Sequence, residues 1–383
     1  MSVILFSGGN AGRIARRWAA TLANRCQGLF AAEAGRAVAP ARRGEARRMR
    51  GYTRASALGP IAEVVEGRGG SIERVFRSVD LPLALLDNPE MALPLQEQFR
   101  VLSAAGRETG DAFFGATLGR EVKAAKLSDF GRWIGEAPTL AGSIDRANRC
   151  LNRYLQTATD LTLRVRGDRA CWSIGFLDPG GDGRFQNELL GVSYLIDAVR
   201  FYAGPGWRPA MVHATCAGRA EAAALERVFG APVRHGARVS AVEFDLSLLA
   251  APGPQTRRAE GGGGPELPLA RGPAGEVAAL AAIALLEGQP RIDWAAGKLG
   301  MSRRSLQRVL DREGVSFRGV LDGMLRDRAL EMVRAGVVPL TDIAQRLGYS
   351  DAAHFSRAFR RWTGTTPSEV RARAAAGRLR RPQ

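Results

Sequence analysis

The feature that most restricts how this chain can fold is a short pattern that occurs twice near its C-terminal end. Ala296, Gly300 and Ser302 recur 48 positions later as Ala344, Gly348 and Ser350. Leu306 and Leu310 follow the first copy, and Phe355 and Phe359 follow the second at an offset of 49, because the second turn carries one extra residue. Each position has a mechanical reason in a helix-turn-helix. A small alanine lets the second helix lie close across the first, and glycine takes the left-handed position at the turn at little cost. Ser302 and Asp351 stand four residues before the first core anchor, where an N-cap belongs. Leu306, Val309 and Leu310 share one face of the first following helix; Phe355, Ala358 and Phe359 share one face of the second. The opposite faces carry Arg303, Arg304, Gln307 and Arg308 in one copy and Ser356, Arg357, Arg360 and Arg361 in the other. An ordinary helical bundle with solvated charged faces accounts for one such match; it gives no reason for two.

Charge is distributed to suit. The net charge is +17 over 383 residues. Residues 1–50 hold ten Arg or Lys against two Asp or Glu, residues 276–383 hold 19 against 11, and the stretch between is almost balanced at 26 against 25. A basic module beside a neutral one fits a reader of a polyanion joined to something else. Arginine-rich codon usage is the bland alternative, since Lys123, Lys126 and Lys298 are the only lysines. Four cysteines, Cys26, Cys150, Cys171 and Cys216, show no CxxC pairing and read as cytosolic thiols. No apolar run is long enough for a membrane span.

Residues 1–50 form a basic extension rich in Arg, Ala and Gly, read as disordered or as an over-called reading frame ahead of Met49. Residues 51–250 have the mixed patterns of an α+β domain. Helical periodicity marks Ile61–Ser78, Leu95–Ala105, Thr139–Leu155, Phe185–Tyr202 and Arg219–Phe229. Strand-like runs mark Leu161–Arg166, Ala170–Phe176, Ala210–Ala214 and Val239–Phe244, the first two joined by Gly167-Asp168 as a hairpin turn. Residues 251–275 break all periodicity with Pro252, Pro254, Gly261–Gly264, Pro265, Pro268 and Pro273, and predict a flexible linker. Residues 276–383 are helical almost throughout. The fold class is thus an α+β sensor domain joined by a linker to an all-α domain of two helix-turn-helix units.

The stretch Asp342–Pro367, DIAQRLGYSDAAHFSRAFRRWTGTTP, resembles the signature of the AraC/XylS family of bacterial regulators. Ser316–Val333 resembles that family's central linker helix and Ile292–Gly314 its first helix-turn-helix, so the likeness covers about Glu276 to Arg373. It implies two recognition helices entering successive major grooves of double-stranded DNA, about one turn or ~34 Å apart. Carried over position by position, Arg303, Arg304, Gln307 and Arg308 reach base edges from the first helix, and Ala353, His354 and Arg357 from the second. Arg suits guanine and Gln suits adenine, whereas Ala352 and Ala353 can only touch a thymine methyl. The first helix, with Arg357, is therefore expected to carry most of the sequence reading. Ser302, Arg318, Asp351, Ser356, Arg360 and Arg361 are assigned to the phosphate side, with backbone N–H groups at helix starts. Trp362 and Pro367 read as structural.

The middle domain lacks the many short alternating strands of the family's cupin-type barrel. It resembles instead the N-terminal domain of the ornithine-utilisation and virulence-type regulators, with Pro94-Leu95, Gly110-Asp111, Phe114-Gly115 and Pro205 in familiar places. That implies a domain that binds a small effector or mediates dimerisation, without carrying the ligand over. The effector is unknown, an amine or amino acid being one candidate, and the chain is expected to be a cytoplasmic homodimer that activates by contacting RNA polymerase. Trp133, Trp172 and Tyr194 are named as lining an effector pocket, although such aromatics are more often plain core. The rival classes are an enzyme or carrier domain fused to a DNA tether, and a constitutive regulator whose middle domain only dimerises. His213 and Cys216 form a His-x2-Cys pair with no further ligand near in sequence, and Gly180, Gly181 and Gly183 match no phosphate-binding motif. No catalytic residue, cofactor or metal is expected.

Overall fold

The computed structural model describes residues 50–178, 180–253, 263–267, 272–288 and 290–379; the basic extension through Met49 lies outside them. The chain divides into two compact units between Leu267 and Pro268.

The N-terminal unit is built on one long helix and one open sheet. A two-stranded ribbon, β1 (Tyr52–Arg54) against β2 (Ala92–Pro94), brackets helices α1 (Ile61–Glu66) and α2 (Ile72–Ser78). These two replace the single helix expected over 61–78. Gly67–Gly70 interrupts the periodicity, Gly69 adopts a φ of +77°, and Ser71 starts α2 by accepting a hydrogen bond from the Arg74 N–H at 3.2 Å. There follow α3 (Leu95–Thr109), α4 (Phe114–Glu121), α5 (Ala124–Leu127), α6 (Asp129–Gly135) and α7 (Leu140–Tyr154), the last capped by Thr139. The hairpin β3 (Thr159–Arg166) and β4 (Arg169–Phe176) turns at Gly167-Asp168. After it come α8 (Arg184–Ala203), β5 (Met211–His213), α9 (Arg219–Phe229), β6 (Val233–Arg234) and β7 (Ser240–Asp245).

The sheet order is β3-β4-β7-β5-β6, antiparallel except for the β5–β6 pair. It is open rather than barrel-like. Alternation along the strands sends Trp172, Ile174, Phe176, Val242 and Phe244 to one face, where they pack with Leu189, Val192 and Ile196 of α8. Helix α4 lies against α8 at very short range. A Cβ on Gly115 would sit 1.9 Å from the Gln186 carbonyl oxygen, and one on Gly119 would sit 2.2 Å from the Ser193 side chain. Only glycine permits that approach.

The C-terminal unit is all helical: α10 (Gly272–Ala284), α11 (Ile292–Lys298), α12 (Arg303–Arg312), α13 (Phe317–Ala335), α14 (Leu340–Arg346), α15 (Ala352–Thr363) and α16 (Pro367–Leu379).

The expectation of an unstructured 251–275 needs correction. Pro252 bridges to Thr139, and the Gly253 N–H donates to the Pro138 carbonyl at 2.9 Å. Residues 263–267 also belong to the first unit. Arg54, only 3% exposed, donates to the Tyr154, Glu90 and Pro265 carbonyls, and Leu267 is buried with its N–H on the Arg153 carbonyl. At the far end α10 already begins at Gly272, with Pro273 in the first turn, where a missing N–H does no harm. Glu313 accepts from the Ala274 N–H at 3.0 Å.

Candidate nucleic-acid interface and effector cavity

Each copy of the repeated pattern becomes a helix, a tight turn and a second helix. Gly300 and Gly348 have φ of +62° and +77°, the left-handed conformation that the turn requires. Ser302 Oγ accepts from the Ser305 N–H at 3.1 Å to open α12, and Asp351 Oδ1 accepts from the His354 N–H at 2.7 Å to open α15. The underside of α12, Leu306 and Leu310, closes a small core with Ala295, Ala296 and Leu299 from α11 and its turn and with Val277 and Leu280 from α10. The underside of α15, Phe355 and Phe359, closes a second core with Ile343, Ala344 and Leu347 and with Ala329 and Val333 of α13. Helix α13, itself opened by Ser316 bonding the Gly319 N–H, contributes to both cores, with Phe317 and Val320 packed on the first.

Outward from these cores the two helices present their cationic faces. Arg303, Arg304, Gln307 and Arg308 are exposed on α12, and Ala353, His354, Arg357, Arg360 and Arg361 on α15. The expected residues differ in what already holds them. Arg303 pairs with Asp293 of α11 at 3.5 Å. Arg361 donates to Asp322 of α13 at 3.2 Å, and Arg318 approaches the same carboxylate at 3.9 Å. Asp322 thus joins two expected phosphate contacts, a role the sequence pattern did not reveal because Arg361 lies 39 residues further along the chain. Arg304, Gln307, Arg308 and Arg357 have no hydrogen-bond or ion-pair partner among the described residues. Ser356 is half-buried and its hydroxyl donates to the Ala352 carbonyl, so it is less available than expected from the helix projection. Ahead of α16, Thr366 and Glu369 form a reciprocal cap with Pro367 between them, a Thr-Pro-Ser-Glu signal that the reading of Pro367 alone passed over.

The Asp351 cap has a pH signature. The His354 backbone N–H, helped by the Ser350 hydroxyl and the His354 ring, holds this carboxyl below the usual range. A carboxyl depressed in the folded state stabilises it fully above the unfolded value of about 3.9, and the contribution fades as pH falls through the folded value. The melting temperatures of wild type and Asp351→Ala are expected to differ at neutral pH and to converge through that acidic window. A gap that stays constant would show that the side chain does not cap.

The N-terminal unit holds a cavity of ≈ 100 Å³ between the sheet, α8 and the α5–α6 segment. Trp172 and Tyr194 are in its lining, with Phe130, Ile174, Phe176 and Leu190 among the apolar walls. Trp133 is not. It lies outside, against Phe130 and Tyr154, with the Arg146 guanidinium 4.9 Å above its ring. Among the described residues no Asp, Glu, His, Cys, Lys or Arg lines the cavity. The Tyr194 hydroxyl donates to the Ala57 carbonyl at 2.9 Å, and burial pushes its phenol up. Two polar atoms of the lining residues, Ser56 Oγ and Gln98 Oε1, are buried without a hydrogen-bond partner among the described residues. Sequence reasoning missed both, because nothing local distinguishes them from surface residues. His213 also has different company from that expected. The potential ligand atoms gathered around it belong to Cys171 and Glu243, not to Cys216.

Residues 69–252 match the family described as "Arabinose-binding domain of AraC transcription regulator, N-term", and residues 295–373 match "Helix-turn-helix domain". The chain belongs to the AraC family of transcription regulators. It is similar to the HTH-type transcriptional regulator VirS of Mycobacterium tuberculosis, 27% identical over 329 residues, which are 83% of this chain and 96% of the relative. It is also similar to the Ornithine utilization regulator of Pseudomonas aeruginosa, 42% identical over 82 residues, or 21% of this chain and 24% of that one. Among solved structures, the regulator CdpR of Pseudomonas aeruginosa is similar at 20% identity and a TM-score of 0.33, over 80% of this chain and 98% of that chain. The regulator is a DNA-binding transcription factor with an α+β N-terminal unit and a helical DNA-binding unit.

Proposed function

We propose that this regulator is an effector-responsive activator that works in the cytoplasm as a homodimer and contacts RNA polymerase beside its promoters. The observation that carries the reading is the pair of capped helices, each with an apolar underside in its own core and arginines facing outward. Helices α12 and α15 enter successive major grooves. Arg304, Gln307, Arg308 and Arg357, which have no partner among the described residues, read base edges; Arg303, Ala353 and His354 adjoin them. Arg318, Arg360 and Arg361 grip phosphates, helped by the backbone N–H groups near Ser302, Asp351 and Ser356. Among the described residues no helix is long and apolar enough to cross a membrane.

The effector binds in the N-terminal cavity and is an uncharged, mainly apolar small molecule with one hydrogen-bonding group. A carboxylate or ammonium would lose its hydration there with no counter-charge to replace it, which argues against the amine or amino acid named as a candidate. A sugar's many hydroxyls would face a wall that is mostly apolar. An apolar cavity of about 150 Å³ admits benzene, so a single ring or short chain is the right scale. The lack of acidic, basic or thiol side chains among the described residues of that cavity's lining speaks against an enzyme site there.

Two measurements on purified protein test this. Residues 268–383 alone are expected to bind operator DNA with no effector dependence. The cut falls before Gly272 because a later one would remove the first turn of α10 that Glu313 holds. For the full chain, benzyl alcohol is expected to raise Tm, because a ligand of the folded state stabilises it by mass action. Benzoate, benzylamine, L-ornithine and L-arabinose are not. A shift with the charged compounds alone would overturn the effector class, and a fragment that cannot bind DNA would overturn the separable reading head.

A further inference from the structure

In β4, β5 and β7 the buried residues Trp172, Val212, Val242 and Phe244 alternate with residues of the sheet's other face. Three of those others carry metal-binding chemistry. Cys171 stands opposite Glu243 in the β4–β7 register. His213 stands opposite Ala241 in the β5–β7 register, two residues from Glu243 and therefore on the same face. The three side chains converge: Sγ of Cys171, a ring nitrogen of His213 and a carboxylate oxygen of Glu243 all lie within 4.8 Å of one another. His213 Nε2 and Glu243 Oε1 are 2.7 Å apart. All three side chains are half-buried, the imidazole 15% and the carboxylate 27% exposed, so solvent can deliver an ion.

We propose that Cys171, His213 and Glu243 form a three-ligand site for a divalent cation of the zinc class, with a fourth position open to water or another ligand. Zinc takes thiolate at ~2.3 Å, imidazole at ~2.0–2.1 Å and carboxylate at ~2.0–2.2 Å in a tetrahedral set, which puts the donors roughly 3.3–3.6 Å apart. The His213–Glu243 pair has to open by well under an ångström and the sulfur has to move in by about one. Side-chain torsions supply that while the strands stay fixed. The scaffold is rigid, since β4 and β7 are interior strands and β5 is paired on both sides; a site on such elements holds its geometry better than one on loops.

The neighbours select the kind of ion. Arg164 stands opposite Cys171 on β3, and Arg234 stands opposite His213 on β6. Two guanidiniums beside the site disfavour a hard cation held by charge alone, such as magnesium or calcium. Affinity has to come from the thiolate and imidazole, which favour zinc and its borderline neighbours. The site lies on the opposite face of the sheet from the effector cavity, whose Trp172 and Ile174 point the other way. The two sites therefore share no side chain. Nothing local in the sequence marks this set, because its members lie in three separate strands; the His-x2-Cys spacing drew attention to a different cysteine.

Cobalt(II) is the probe that decides it, used on the full chain stripped with chelator and with thiols reduced. Titration is expected to raise a thiolate-to-cobalt absorption in the near ultraviolet, together with the visible bands of four-coordinate cobalt. Both should saturate at one cobalt per chain and be bleached by zinc. Cys171→Ser abolishes the ultraviolet band, whereas Cys26→Ser, Cys150→Ser and Cys216→Ser retain it. His213→Ala and Glu243→Gln each weaken binding by about tenfold or more, by analogy with the losses seen even for outer-shell partners. A metal-free Tm and a circular-dichroism spectrum equal to those of wild type show that the Cys171→Ser variant is folded, and zinc should raise Tm for wild type but not for this variant. Absence of the thiolate band in wild type, or its persistence in Cys171→Ser, overturns the site.

Discussion

Phe355→Ala is expected to abolish operator binding at working concentrations by unpacking the second helix-turn-helix. The Phe355 ring is fully buried, 5.7 Å from Phe359 and 5.8 Å from Tyr349. It fills the centre of a core made from only a handful of side chains on α13, α14 and α15. Truncating a buried phenylalanine costs about 3–5 kcal/mol through lost burial and the cavity left behind. Against a typical total of about 5–15 kcal/mol for a domain, that is a large share. A core this small has few neighbours able to collapse into the space. Thermal melting of residues 268–383 and operator affinity measured on the same preparation check the result. A variant that melts several degrees lower yet keeps its affinity would mean that α15 does not read DNA. Phe355→Leu, which keeps most of the volume, is expected to retain most binding.

The second large effect separates base reading from phosphate gripping. Arg308→Ala is expected to lose about 1–3 kcal/mol at the preferred operator and to flatten preference at one base position, because a bidentate arginine discriminates by that amount. Arg361→Ala is expected to weaken all sequences alike and to reduce the salt slope by about one. Its loss should exceed that of an ordinary phosphate contact. Removing the guanidinium leaves the Asp322 carboxylate, 28% exposed, with only the more distant Arg318 to balance it near the DNA backbone. Asp322→Asn should therefore recover part of the Arg361→Ala loss. Affinity selection over randomised sites, repeated at two salt concentrations, distinguishes the two classes. Equal and sequence-independent losses for both substitutions would dissolve the distinction.

What could be read in the sequence was what short-range chemistry encodes. The caps at Ser302 and Asp351, the turn glycines Gly300 and Gly348, and the apolar undersides of α12 and α15 depend on residues within a few positions of one another, and they appear in the structure as expected. The same holds for the β3–β4 hairpin at Gly167-Asp168 and for α9. Helix α1–α2 was misread as continuous because its apolar spacing survives across a Gly-rich break. Strand β5 falls inside the strand-like run Ala210–Ala214, whereas β6, of two residues, is defined by pairing more than by its own pattern. The linker was drawn too wide because composition cannot show that Arg54 holds Pro265, a contact spanning 211 residues. Pocket residues depend on distant packing in the same way. Trp133 and Trp172 look alike in a helical or strand pattern, yet only Trp172 faces the cavity, and Gln98 gains meaning only once its buried oxygen is seen to lack a partner.

The central claim is that one chain carries two reading heads set for adjacent grooves. Guanine methylation interference with residues 268–383 on operator DNA tests it most directly. Two clusters of interfering guanines on one face of the duplex, about 10 base pairs apart, are the expected result. The Arg308→Ala protein should lose sensitivity in one cluster and the Arg357→Ala protein in the other. A single cluster, or two clusters half a turn apart on opposite faces, would contradict the account.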